Sequence, residues 1–76
     1  MPKHTDNVVL LRRRARRKVA LRLRQLRKRL NLSQPAMAEA IGVSRRQLVD
    51  YEGGLTKVPA DVMVVAEELA AGRLAA

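Results

Sequence analysis

The 76-residue chain has no cysteine, tryptophan or phenylalanine, and only one histidine (His4) and one tyrosine (Tyr51). Without cysteine there can be no disulfide framework and no cysteine-ligated zinc site, and one histidine is too few for a histidine-rich metal centre. No metal and no other cofactor is therefore expected. The scarcity of rings makes the core aliphatic and excludes the aromatic platforms on which single strands stack. Long apolar runs are missing too. Nothing approaches the roughly 20 residues of a membrane span, and Val8-Val9-Leu10-Leu11 is followed rather than preceded by basic residues, unlike a signal peptide. The expectation is a soluble, cytoplasmic protein with no membrane partner.

Negative charge is also scarce, and unevenly so. Lys and Arg number 16 against 7 Asp and Glu, a formal net charge of +9. Residues 1–30 hold twelve of the positive side chains and one negative (Asp6), whereas residues 31–76 hold four positive and six negative. Such asymmetry calls for a polyanionic partner: nucleic acid, an anionic surface or an acidic protein. So short a chain forms one small domain that buries only about 60% of the surface its unfolded form exposes, which leaves little margin for a strained catalytic cleft. Ser33 and Ser44 have no histidine or cysteine nearby to activate them and read as helix caps. No catalytic residue is assigned, and an enzyme is not expected.

Periodicity predicts helices and no strand. Val19, Leu23, Leu26 and Leu30 recur at helical spacing, predicting a first helix over 19–30. Val8, Leu11 and Ala15 continue that stripe backwards, but six of the seven residues 12–18 are basic and repel one another. For residues 7–18 helix in the free chain and ordering on binding both stay open, and residues 1–6 read as a loose tail. Ser33 and Pro35 open a second helix, 34–41, with Met37, Ala38 and Ile41 on its apolar face. Gly42 ends it. Ser44, with Gln47 three residues on, forms a capping box for a third helix, 45–52, which buries Leu48 and Tyr51 and stops at Gly53-Gly54. A fourth helix runs over 60–71 and is closed by Gly72. The division expected is a basic arm (1–18), a helical domain (19–72) and a short tail (73–76).

The connection Gly42-Val43-Ser44 sets the third helix at a steep angle to the second, so that its first residues project and fit a major groove about 12 Å wide. Arg45, Arg46, Val49 and Asp50 are the exposed positions. Twin arginines at the positive end of a helix dipole gain nothing from it. Bidentate recognition of guanine supplies a reason for them, and Asp50, four residues after Arg46, can steady that guanidinium or accept from cytosine. The basic run Arg12, Arg13, Arg14, Arg16, Arg17 and Lys18 reads as an arm for phosphates or a narrow minor groove.

From Leu26 to Gly54 the pattern Leu26-Arg27-x-x-Leu30-x-Leu32-Ser33-Gln34-x-x-Met37-Ala38-x-x-Ile41-Gly42-Val43-Ser44-x-x-x-Leu48-x-x-Tyr51-Glu52-x-Gly54 resembles the Cro/C1-type, or XRE, helix-turn-helix family. The resemblance implies an all-α, four-helix, lambda-repressor-like domain with a basic amino-terminal extension, in which at most residues 73–76 remain of the family's fifth helix. It implies a DNA-binding transcriptional regulator on the nucleoid, a repressor or a control protein of phage or mobile-element type. It places Arg45, Arg46, Val49 and Asp50 at base-reading positions, and Gln34, Ser44 and Lys57 at the phosphate backbone. Arg27 and Glu52 fall at positions that pair as ions in some members. Gly53 departs from the pattern by replacing a polar or basic residue. The apolar arc of the last helix is wider than one burial face requires, so Met63 and Val64 are expected to meet a partner, a second copy reading a palindrome being the reading favoured. Two rival readings are an antitoxin or anti-regulator module with a protein partner and secondary DNA binding, and a sequence-blind packing protein of the nucleoid.

Overall fold

Four helices pack around one aliphatic core in the computed structural model, which describes residues 4–73, with side chains from residue 7 onward. They are α1 (His4–Arg29), α2 (Gln34–Ile41), α3 (Arg45–Glu52) and α4 (Ala60–Ala70). No strand occurs among the described residues. The ends of the expected arm and tail, residues 1–3 and 74–76, lie outside them.

The largest difference from the sequence reading is the length of α1. The helix begins at His4 and passes unbroken through the basic run to Arg29. No glycine or proline interrupts residues 3–34, and arginine, leucine and alanine are strong helix formers. Like charges four apart cost a few tenths of a kcal/mol each. Extending an existing helix, by contrast, carries no nucleation penalty. Propensity outweighs the repulsion, and what reads as an arm is a rod.

The globule is built on the second half of α1. Leu23 and Leu26 are buried against Met37, Ala38 and Ile41 of α2, Leu48 and Tyr51 of α3, and Val62, Ala66 and Leu69 of α4, and Ala20 is buried beside this cluster without belonging to it. Val58, in the loop between α3 and α4, is buried with them. Val19 and Leu30, at the two ends of the predicted stripe, are only partly buried. Burial of the larger side chains, such as Leu23, Leu26, Met37 and Leu48, contributes about 1.5–3 kcal/mol each. The first half of α1 extends past this core, and the molecule measures 50 × 23 × 18 Å with a radius of gyration of 13.9 Å, against about 11 Å for a spherical domain of this length.

Helix ends follow local chemistry. Asn31, with φ 57°, turns the chain at the end of α1, and the Leu32 amide donates back to the Arg27 carbonyl at 3.2 Å. Ser33 Oγ accepts from the Ala36 amide at 3.2 Å, capping α2. Gly42 ends α2 at φ 80°, its amide donating to the Ala38 carbonyl at 2.9 Å.

Candidate nucleic-acid interface

Residues Gly42 to Ser44 form the bend between α2 and α3. The Ser44 hydroxyl accepts from the Gln47 amide at 3.0 Å while the Gln47 side chain accepts from the Ser44 amide at 2.8 Å, the reciprocal pair of a capping box. This satisfies two of the free donors at the start of α3. It also engages Ser44 Oγ as an acceptor, so only its O–H is left to offer a phosphate. Leu48 and Tyr51 anchor the inner side of α3 in the core, and helical period then turns Arg45, Arg46 and Val49 outward, all three exposed. Asp50 is half-buried. Arg46 Nε lies 3.7 Å from Asp50 Oδ2, a loose pairing that leaves the Arg46 side chain 87% exposed.

Behind the exposed face, α3 is tied down by a charged brace. Arg27 of α1 donates twice to the Glu52 carboxylate, from Nε at 2.7 Å and from Nη2 at 3.0 Å, and once to the Leu32 carbonyl at 3.0 Å. Gln34 Nε2 donates to the same carboxylate at 3.3 Å. A two-pronged guanidinium–carboxylate pair is the strongest geometry available to such groups, and this one is nearly buried, the Arg27 and Glu52 side chains being 15% and 4% exposed. Three elements meet at one carboxylate: the end of α1, the start of α2 and the end of α3. Gln34 is thus committed to the brace through its amide nitrogen, and its oxygen carries no hydrogen bond within the described residues.

Most of the remaining predicted positions line grooves beside α1. Lys57 is exposed in the α3–α4 loop and lines a groove with Arg12, Ala15, Arg16, Val19 and Val58. Arg13, Arg16 and Arg17 line a second groove with Gly53 and Gly54. A third is formed by Arg24, Arg27, Gln34, Val49, Glu52 and Gly53. Arg14 and Lys18 line none of these and stand apart from the positions just named. Gly54 has φ 73°, and a Cβ there would touch Arg17 Cγ at 3.9 Å, so the loop passes close beside α1. Gly53, at φ −82°, has an ordinary helical backbone.

Two features escape sequence reasoning. Arg24 stands beside Val49 and Gln34, and its only signal is its place three residues before Arg27 on the same helical face. The other is a second pair tying α1 to α4: Arg22 donates to both carboxylate oxygens of Glu67, at 3.0 and 3.1 Å. That bond is the main reason the Glu67 carboxyl is held below its ordinary value of 4.5 and the Arg22 guanidinium above its own. No local pattern announces a partner 45 residues away. On α4, Val64 is exposed, but Met63 is partly buried against the core and presents less free surface than its place in the apolar arc implies.

Among the described residues no group of three or more His, Cys, Asp or Glu side chains is placed to hold a metal ion, and no helix is long and apolar enough to cross a membrane. A family model described as a helix-turn-helix domain matches residues 18–73. No curated protein and no solved structure matches the chain.

Proposed function

The chain belongs to the helix-turn-helix domain family of the XRE, or Cro/C1, class, a DNA-binding fold, and from that premise we propose that it is a sequence-specific transcriptional regulator of double-stranded DNA that reads the major groove with α3. The observation that carries the reading is the pair Arg45 and Arg46, exposed at the capped start of a helix whose far end is clamped by Arg27, Glu52 and Gln34. The brace fixes the direction of α3 and the capping box fixes where its first turn begins, so the backbone positions from which the two arginines reach out are set. That is what bidentate recognition of guanine requires, at about 1–3 kcal/mol per good pair. Val49 suits a thymine methyl beside them, and Asp50 limits the sweep of Arg46 or accepts from cytosine.

Lys57 and the α1 cations that face it, Arg12 and Arg16 among them, supply contacts to phosphate, and Gln34 offers its side-chain oxygen and remaining N–H at the edge of the same face. The reading includes action as a repressor or a phage-type control protein. A second copy fits this scheme, because a symmetric pair reads two half-sites about 34–36 Å apart. Val64 on α4 offers an exposed apolar side chain for such pairing, with Met63 at its edge.

The test is selection of binding sites from a random duplex library, followed by competition against unselected duplex. A specific regulator yields a motif with guanines opposite Arg45 and Arg46 and a preference of about 10³ or more. Near-equal affinity for all duplexes identifies a packing protein instead, and a protein that competes DNA away through the α3 face identifies an interaction module.

A further inference from the structure

The three grooves beside α3 share lining residues. Gly53 belongs to the one next to Val49 and to the one next to Arg17, and Arg16 belongs to the latter and to the one next to Lys57. They therefore adjoin along α1 as a stepped trough beside the segment from the end of α3 to Lys57. On the α1 side its free cations are, in order, Arg24, Arg17, Arg16, Arg13 and Arg12, a run of about 18 Å at 1.5 Å per residue, with Val19 and Ala15 between them. Its one carboxylate, Glu52, is taken up by Arg27 and Gln34. In the two grooves beyond it no carboxylate lines the wall at all. Cations that converge without a counter-charge repel one another and favour an anion between them.

We propose that this trough is a track for one sugar–phosphate strand of duplex DNA, leading away from the bases that α3 reads. The inference rests on the DNA-binding function proposed above and sharpens it: the basic half of α1 is a fixed helical rail, and it does not thread a minor groove as an extended arm. Three features carry it. The helix is continuous with the core-forming half of α1, so its arginines keep a constant angular register to α3. The loop lies against the helix at Gly54 and Arg17, which closes the trough on its second side. The basic residues of the run also divide by face, since Arg12, Arg13, Arg16 and Arg17 line the trough whereas Arg14 and Lys18 do not. Bulk electrostatic attraction makes no such division.

That division is the basis of the experiment. Two double variants of the full chain, R12Q/R16Q and R14Q/K18Q, remove the same charge, and all four side chains are exposed, so neither exchange disturbs the core. Binding to a labelled mixed-sequence duplex of about 20 base pairs, two helical turns, is followed by anisotropy across a salt series. The slope of log K against log salt should fall by about 1.8 for R12Q/R16Q, at about 0.9 for each phosphate no longer neutralised, and should be unchanged for R14Q/K18Q. Equal falls in both variants, or none in either, overturn the track and leave the DNA reading in place. If the unsubstituted chain does not bind the duplex even at low salt, the DNA reading itself fails, and the track with it.

Discussion

Replacing Arg27 by methionine keeps the aliphatic stem and removes the guanidinium from the brace at the end of α3. The Glu52 carboxylate then gives up donors at 2.7 and 3.0 Å and retains only Gln34 Nε2 at 3.3 Å. With its side chain 4% exposed, it has little access to water. Truncating one partner of a fully buried pair costs about 3–5 kcal/mol. Because Arg27 is itself 15% exposed, the vacated space admits some solvent, and the low end applies, about 3 kcal/mol. A chain of this length has a total stability of about 4–11 kcal/mol, so the variant should melt lower by roughly 12 °C or more. The converse change, Glu52→Gln, leaves the guanidinium on the more open side, still donating to the Leu32 carbonyl at 3.0 Å and able to donate to the new amide oxygen. It should cost about 1–1.5 kcal/mol, close to one ordinary hydrogen bond. Urea and thermal denaturation followed by far-ultraviolet circular dichroism measure both, and the double variant should cost less than the sum of the two. Equal costs for the single variants, or a cost below about 1 kcal/mol for Arg27→Met, the range of an exposed pair, would refute the claim that a desolvated carboxylate is what the guanidinium satisfies.

The remaining predictions concern recognition, charge and backbone. Arg45→Ala and Arg46→Ala should each relax preference at one base pair by about 1–3 kcal/mol without altering preference elsewhere, which repeated site selection with each variant reads directly. Deleting residues 1–18 should weaken binding to every duplex and flatten the salt dependence by about 3–4 in slope if only the four trough arginines of that segment touch phosphate, rather than by about 6 if all seven of its cations do. Glu67 titrates below its ordinary 4.5 in the folded chain. The unfolded chain therefore takes up its proton first as pH falls, so the contribution of the pair is full above pH 4.5 and is lost below it. The difference in melting temperature between the unsubstituted chain and Glu67→Gln should accordingly shrink as pH drops through that range. Gly42→Ala meets no atom within 4 Å but must hold φ 80°, so its cost is backbone strain alone, about 1–2 kcal/mol, measured by the same denaturation.

Where structure is determined by neighbours a few residues apart, it is legible in the sequence. Ser33, Gly42 and the Ser44–Gln47 box state the bounds of α2 and α3 to the residue, and Met37, Leu48 and Tyr51 announce their inward faces. The fourth helix is nearly as plain, ending at Ala70 where Gly72 implies 71. The first helix is not, because two local terms oppose each other over residues 7–18: helix propensity on one side and like-charge repulsion on the other, each a few tenths of a kcal/mol per residue. The trough is hidden as well. It depends on the angular phase of Arg12, Arg16 and Arg17 relative to a loop some forty residues later, and only the packed structure sets that phase. Arg22 and Glu67 show the same limit, two ordinary surface charges until the packing of α1 on α4 brings them together. Met63 errs in the opposite direction, its place in a broad apolar arc implying more free surface than the fold allows.

The solitary ring of Tyr51 has a practical corollary. It sits on the inner side of α3, buried in the shared core, and no tryptophan or other tyrosine emits anywhere in the chain. The chain's one fluorophore therefore lies beneath the helix that carries Arg45 and Arg46, and a change in its emission intensity when an oligonucleotide is added reports how firmly that helix stays seated.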